Sequence, residues 1–313
     1  MLNKWSEEYK PFTYGWAEDL RKQHENIHWI PEEADLTQDL EQWKTTLSHE
    51  DKQFTKAILS MFTQADVAVG RFYVDYLLPR IKNNEIRNML MSFAAREAIH
   101  QEGYALLNDS LGLGDEFWSD FMKHPETLDK WEYIKIEKNK DNLGLSLAQQ
   151  TFMEGISLFG SFVMLKNFER HGKLLGMCKI NEWSLKDETI HVEGNAKLFK
   201  TWTIENPNEV NGPFKLEIYS MVRDIVKLEE DFIDMAFADY TIEDLDKEDV
   251  KLYIKYIANR RLIQLGLKEN WEGIDTNPLP WMDVLSNGSS LQNFFEGRVT
   301  DYSVSGLSGV FTY

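Results

Sequence analysis

Two segments of the chain read Glu-x-x-His: Glu97-Ala98-Ile99-His100 and Glu188-Thr189-Ile190-His191. On a helix this spacing stacks carboxylate and imidazole one turn apart on one face, where both can ligate one metal ion. Either match alone is weak. With seven histidines in a glutamate-rich chain about one such pair arises by chance, and two solvated polar pairs on helix surfaces are the plain alternative. A second regularity changes the balance. Asp66 precedes Glu97 by 31 residues and Glu154 precedes Glu188 by 34, each within apolar helical surroundings. The order carboxylate, reversal, Glu-x-x-His therefore occurs twice.

Helical rise turns those spacings into depth. From Asp66 to a break near Pro79, and from a restart near Asn84 to Glu97, the path is about 20 Å each way at 1.5 Å per residue. From Glu154 to Gly172 and back to Glu188 it is about 25 Å each way. Two such hairpins packed together bring four carboxylates and two imidazoles to one level. That set, a lone carboxylate from each of two helices and Glu-x-x-His from each of the other two, suits a carboxylate-bridged pair of iron or manganese ions. Buried without cations, four carboxylates would be prohibitive. Glu102 and Glu193, each two residues past a histidine, face away from it and read as solvated charges. His24, His28, His49, His124 and His171 lack a partner pattern and read as surface or capping residues.

The positioning elements follow from punctuation and periodicity. Eight prolines and eighteen glycines cluster near Pro79, Gly112, Gly172, Pro207 and Pro278, and between them apolar residues recur at threes and fours. The spacing predicts helices over 51–78, 85–111, 145–170, 173–202, 213–238 and 247–267. An irregular arm to about Leu36 precedes them and a loop-rich tail from about Asn270 follows. Strand alternation is almost absent, so the fold class is all-α, a bundle of long helices. Helices 51–78 and 145–170 are apolar on more than one face, which predicts a central, fully shielded place for both.

Composition narrows the function. In 313 residues, 42% hydrophobic content excludes overall disorder, and a net charge of −18 repels a phosphate backbone, so no nucleic-acid partner is expected. The single Cys178 allows no intrachain disulfide, cysteine-rich zinc site or dithiol, and reads as a small core residue. The amino-terminal stretch carries acidic residues where a secretory signal needs an apolar run, and the most apolar segment, 156–165, is too short to span a bilayer. A soluble, cytoplasmic protein with no membrane partner is expected. No P-loop or dinucleotide glycine pattern occurs, and Gly112-Leu113-Gly114 reads as a helix terminator.

Tyr104 lies one turn past His100, so its ring points to the same interior level, with Phe93, Leu158 and Phe162 expected as its walls. A phenol beside an oxygen-activating metal pair is oxidisable; the alternative is a buried tyrosine with an ordinary hydrogen bond. At this point the sequence resembles the small, radical-generating (beta) subunit of class I ribonucleotide reductase. The resemblance rests on HWIPEE from His28, Asp66, REAIHQEGY from Arg96, Glu154-Gly155, KDETIH from Lys186, NPLPWM from Asn277 and NFFEGRVTDYS from Asn293, in this order.

The resemblance implies a ferritin-like fold over 1–285 and a tail, 286–313, that docks a large (alpha) subunit. It implies one metal ion on Asp66, Glu97 and His100 and another on Glu154, Glu188 and His191, with Glu97 and a second-site carboxylate able to bridge. Iron is the first choice; manganese or a mixed pair accepts the same ligands. Dioxygen would activate the centre and leave a radical on Tyr104, passed by Asp187, Trp29 and Tyr302 to the large subunit, where ribonucleotides are reduced. Leu307, Val310, Phe311 and Tyr313 would anchor the tail, Tyr313 competing with Tyr302 as the relay. The family also implies a homodimer, and in some members a flavoprotein activator. One thiol fits this division of labour, because reducing a ribonucleotide needs a dithiol elsewhere. The alternatives are another ferritin-like di-metal oxidase and a metal-storage scaffold, neither of which requires Tyr104, the Trp29–Asp187 pair or the tail.

Overall fold

A computed structural model describes residues 1–135, 141–238 and 240–285. Eleven α-helices are described: α1 Gly15–Glu25, α2 Thr37–Thr45, α3 His49–Phe72, α4 Asn84–Ser110, α5 Pro125–Lys135, α6 Leu143–Phe152, α7 Phe159–Arg170, α8 Leu175–Glu205, α9 Gly212–Phe237, α10 Lys247–Gln264 and α11 Trp281–Leu285. Only an isolated bridge, Ile242 to Leu245, represents extended pairing among the described residues. No described helix is long and apolar enough to cross a membrane.

Local chemistry sets the helix starts. Ser48, Asn83, Asn142 and Asn211 each accept a hydrogen bond at their side-chain oxygen from the amide three residues on, capping α3, α4, α6 and α9. The α7–α8 reversal uses Gly172 at φ +63°, with the Lys173 amide donating to the Phe168 carbonyl at 2.9 Å.

Several expectations need correction. The arm before Leu36 is not irregular: α1 and a 3-10 turn at Pro31–Glu33 occupy it, and α1 packs on α4 and α8. The predicted helix 145–170 is α6 and α7 joined by a π-turn at Met153–Ser157, and 51–78 ends in a second π-turn at Tyr73–Leu77. A π-turn widens the ring by one residue without interrupting the apolar run, so periodicity cannot register it. The α6–α7 unit is central, buried almost throughout its length. The 51–78 unit is not shielded all round, since Val67 and Val74 are 49% and 52% exposed.

Candidate metal centre

Asp66 on α3, Glu97 and His100 on α4, Glu154 on the π-turn and Glu188 and His191 on α8 converge in the interior, none more than 1% exposed. Two overlapping groups form, Asp66, Glu97, His100 and Glu188, and Glu97, Glu154, Glu188 and His191, with ligand atoms within 4.8 Å of one another in each. Glu97 and Glu188 belong to both. Glu97 sets Oε2 3.4 Å from His100 Nδ1 and Oε1 3.1 Å from His191 Nδ1. Glu188 does the same with Oε1 at 3.2 Å and Oε2 at 3.3 Å. Each of these two carboxylates thus spans both halves.

The donor set fits two divalent cations. Asp66 Oδ2, both oxygens of Glu97 and of Glu188, and His191 Nδ1 are buried and make no hydrogen bond within the described residues. Orphaned acceptors of this kind are costly unless something positive completes them. Glu154 is held from behind: Gln150 Nε2 donates to Oε1 at 3.0 Å and Asn195 Nδ2 to Oε2 at 2.7 Å.

Burial dominates the proton equilibria. It drives Asp66 well above the usual carboxylate range and Glu154 up to about 7. On Glu97 burial is outweighed by the imidazoles of His100 and His191, which bring it down to about 2. Burial also opposes the charged forms of His100 and His191, yet Asp187, Glu188, Glu97 and Glu154 together hold both well above the ordinary range. Protons on those imidazoles are what incoming cations would displace.

Beside these six residues, one carboxylate oxygen joins two aromatic groups. Asp187 Oδ2 accepts from Trp29 Nε1 at 2.8 Å and lies 3.1 Å from His100 Nε2, with Arg96 Nε at 3.6 Å. Trp29 is 3% exposed, its ring stacked on Trp183 at 5.2 Å. Tyr104 is fully buried, its ring 4.5 Å from Phe62, which in turn lies 5.0 Å from Phe162. Burial, then the charge of Asp66, pushes its hydroxyl well above the usual phenol range. Phe93 is not one of its walls but packs 4.5 Å from His191. Eleven residues of helix separate Phe93 from Tyr104, about 16 Å along the axis even though they share a face.

Glu102 is exposed and Glu193 pairs with Lys197, as expected. Cys178 is buried and free. His28, His49, His124 and His171 are exposed or partly so. His24 breaks the expectation: it is 1% exposed and its Nε2 lies 3.1 Å from His191 Nε2. No local pattern marks it, since α1 is folded onto the site from 167 residues away. Gln150 and Asn195 could have been found by helical spacing, four residues before Glu154 and four after His191. Tyr302, Leu307, Val310, Phe311 and Tyr313, and the tail boundary at 286, lie outside the described residues.

A family model described as "Ribonucleotide reductase, small chain" matches residues 6–278. The chain is 37% identical to "Probable ribonucleoside-diphosphate reductase small subunit 048L" of Invertebrate iridescent virus 3, over 96% of this chain and 85% of that protein. The ribonucleotide reductase R2 subunit from Clostridium botulinum superposes with a TM-score of 0.84 at 23% identity, covering 90% of this chain and 91% of that one. The dimanganese(II)-NrdF of Streptococcus sanguinis does so at 0.78 and 18%, covering 88% and 99%. These two show the shared fold.

Proposed function

The chain belongs to the ribonucleotide reductase small-chain family, and from that premise we propose that its six-residue centre holds two metal ions and, with dioxygen, leaves a radical on Tyr104. Members are small subunits of ribonucleoside-diphosphate reductase, an oxidoreductase completed by a large subunit; a dinuclear metal centre belongs to this family. Iron is the proposed pair, with dimanganese or manganese–iron as alternatives that the same oxygen and imidazole donors accept. When bound, the metals supply the oxidising power drawn from dioxygen.

The rest is the chain's own work. Asp66, Glu97 and His100 would hold one ion and Glu154, Glu188 and His191 the other, with Glu97 and Glu188 each within reach of both imidazoles. Tyr104 would be the group oxidised, its buried hydroxyl making no hydrogen bond to the described residues and feeling the charge of Asp66. Phe62 and Phe162 keep water and reductants from the phenol. Asp187 couples His100 to Trp29, and the radical continues to Tyr302 on the tail, whose apolar residues dock the large subunit. Val67 and Val74, two turns apart on one exposed face, offer a surface to a second copy of the chain.

The observation that supports this reading is the pairing of Glu97 and Glu188, each with one oxygen toward each imidazole. The test is electron paramagnetic resonance on protein loaded with ferrous or manganous ions and exposed to oxygen. A tyrosyl signal is expected, lost in Tyr104→Phe while metal stoichiometry stays the same. A signal unaltered by the substitution removes Tyr104 from its role. A metal-loaded protein that consumes oxygen but forms no deoxynucleotide with a large subunit favours a stand-alone oxidase.

A further inference from the structure

His24 is a buried imidazole to which the chemistry above gives no task. Its Nε2 lies 3.1 Å from His191 Nε2 and its Nδ1 2.8 Å from Ser92 Oγ, and Ser92 donates to Glu25 Oε1 at 2.9 Å. Glu25 is 54% exposed, so the row runs from the metal centre to the surface. Phe93, with ring centroids 5.1 Å apart, and Asp187, whose Oδ1 lies 3.7 Å away, also face His24, and the charges of Arg96 and His100 act on it.

The order of protons along this row is fixed by donor counting. His191 turns Nδ1 toward Glu97, Glu154 and Glu188, so coordination through Nδ1 leaves the proton on Nε2. His24 must then accept at Nε2, carry its own proton on Nδ1 and donate it to Ser92. Ser92, having accepted, donates to Glu25. The other half of the centre is built differently: behind His100 Nε2 stands the carboxylate of Asp187. A carboxylate partner raises the basicity of a ligating imidazole more than a neutral ring does.

We infer that His24 is a positioning residue for one half of the metal centre: it fixes the tautomer and ring plane of His191 and, as a neutral acceptor, makes the His191 half the weaker of the two metal positions. This rests on the dinuclear reading, and the experiment separates the two. Full-length, metal-free protein is titrated with Mn(II) while free and bound ion are followed by electron paramagnetic resonance. Wild type is expected to take two ions per chain and give an exchange-coupled spectrum; failure to do so sinks the dinuclear reading itself. His24→Leu, which fills the space without accepting, is expected to bind its second ion about 10- to 100-fold more weakly, leaving an uncoupled six-line spectrum near one equivalent. His24→Gln, whose amide oxygen can accept from His191 Nε2, is expected to recover the coupled spectrum. Wild-type binding of both ions by His24→Leu, or equal weakening of both, overturns the inference. Should His24→Leu fail to fold, Ser92→Ala decides: selective weakening of the second ion supports the inference and unchanged binding overturns it.

Discussion

Gly155→Ala is the substitution whose effect can be worked most fully from the structure. A Cβ at Gly155 would stand 2.5 Å from Arg261 Nε, 2.8 Å from its Cδ and 3.1 Å from Val192 Cγ2. Arg261 has little room to move aside. It is fully buried, donates from Nε to the Gly155 carbonyl at 3.0 Å and from Nη1 to Gln264 at 3.0 Å, and lies over the Phe159 ring at 5.0 Å. The added methyl therefore displaces a charge-assisted hydrogen bond worth about 1.5–3 kcal/mol and overpacks the core at about 1–3 kcal/mol. Together these come to about 4 kcal/mol. With unfolding entropy of about 2.1 cal/mol/K per residue, the 313-residue chain loses about 6 °C of melting temperature. The same displacement moves the π-turn that carries Glu154, so affinity for metal falls by about tenfold or more. Thermal denaturation of the metal-free protein reads the first effect and Mn(II) titration the second. Gly15→Ala, at a helix start with no atom within 4 Å, is the control and is expected to change neither. A Gly155→Ala protein that melts within about 1 °C of wild type, by the same entropy scale, and takes up two ions as tightly would refute the claim that Arg261 and this glycine together fix the π-turn.

Metal loading should raise stability: two ions, each at a free concentration 100-fold above its Kd, contribute about 2.7 kcal/mol apiece. Calorimetry with and without chelator should show a rise of about 8 °C, and no shift would deny the centre its cations. Trp29→Phe keeps an aromatic ring but removes the indole and its donor to Asp187. Tyr104 radical yield and metal content should hold while deoxynucleotide formation with a large subunit is lost, and retained turnover would take Trp29 out of the relay. Within α1, Glu18 accepts paired bonds from Arg21 at 2.9 Å each, and mainly for that reason its pKa is lowered from 4.5 to about 2. A depressed carboxylate stabilises the fold above pH 4.5, and that contribution is lost as pH falls from 4.5 toward about 2. Hydrogen exchange in α1 should quicken across that window in wild type, whereas Glu18→Gln should already exchange fast at neutral pH; a variant that behaves as wild type at both ends refutes a stabilising role for the pair within the helix.

The level of the metal centre was legible in the sequence because helices are local objects. Rise and periodicity are the same wherever a helix lies, so Glu97 with His100, Glu188 with His191, and the return distances to Asp66 and Glu154 needed no knowledge of neighbours. The buried place of Tyr104 and the lack of a dithiol were legible in the same one-dimensional information. What tertiary structure alone decided concerns contacts between segments far apart in the chain. The folding of α1 onto α4 and α8 converted His24 from an expected surface residue into the partner of His191. The packing of α10 against the π-turn brought Arg261 to the Gly155 carbonyl. Phe93 shares a helical face with Tyr104 yet serves the opposite half of the centre, because a face fixes direction and leaves depth to the axis. Which oxygens of Glu97 and Glu188 meet which imidazole depends on how closely four helices approach, and that distance is set by side-chain packing across the bundle, where no residue's neighbours in sequence have any say.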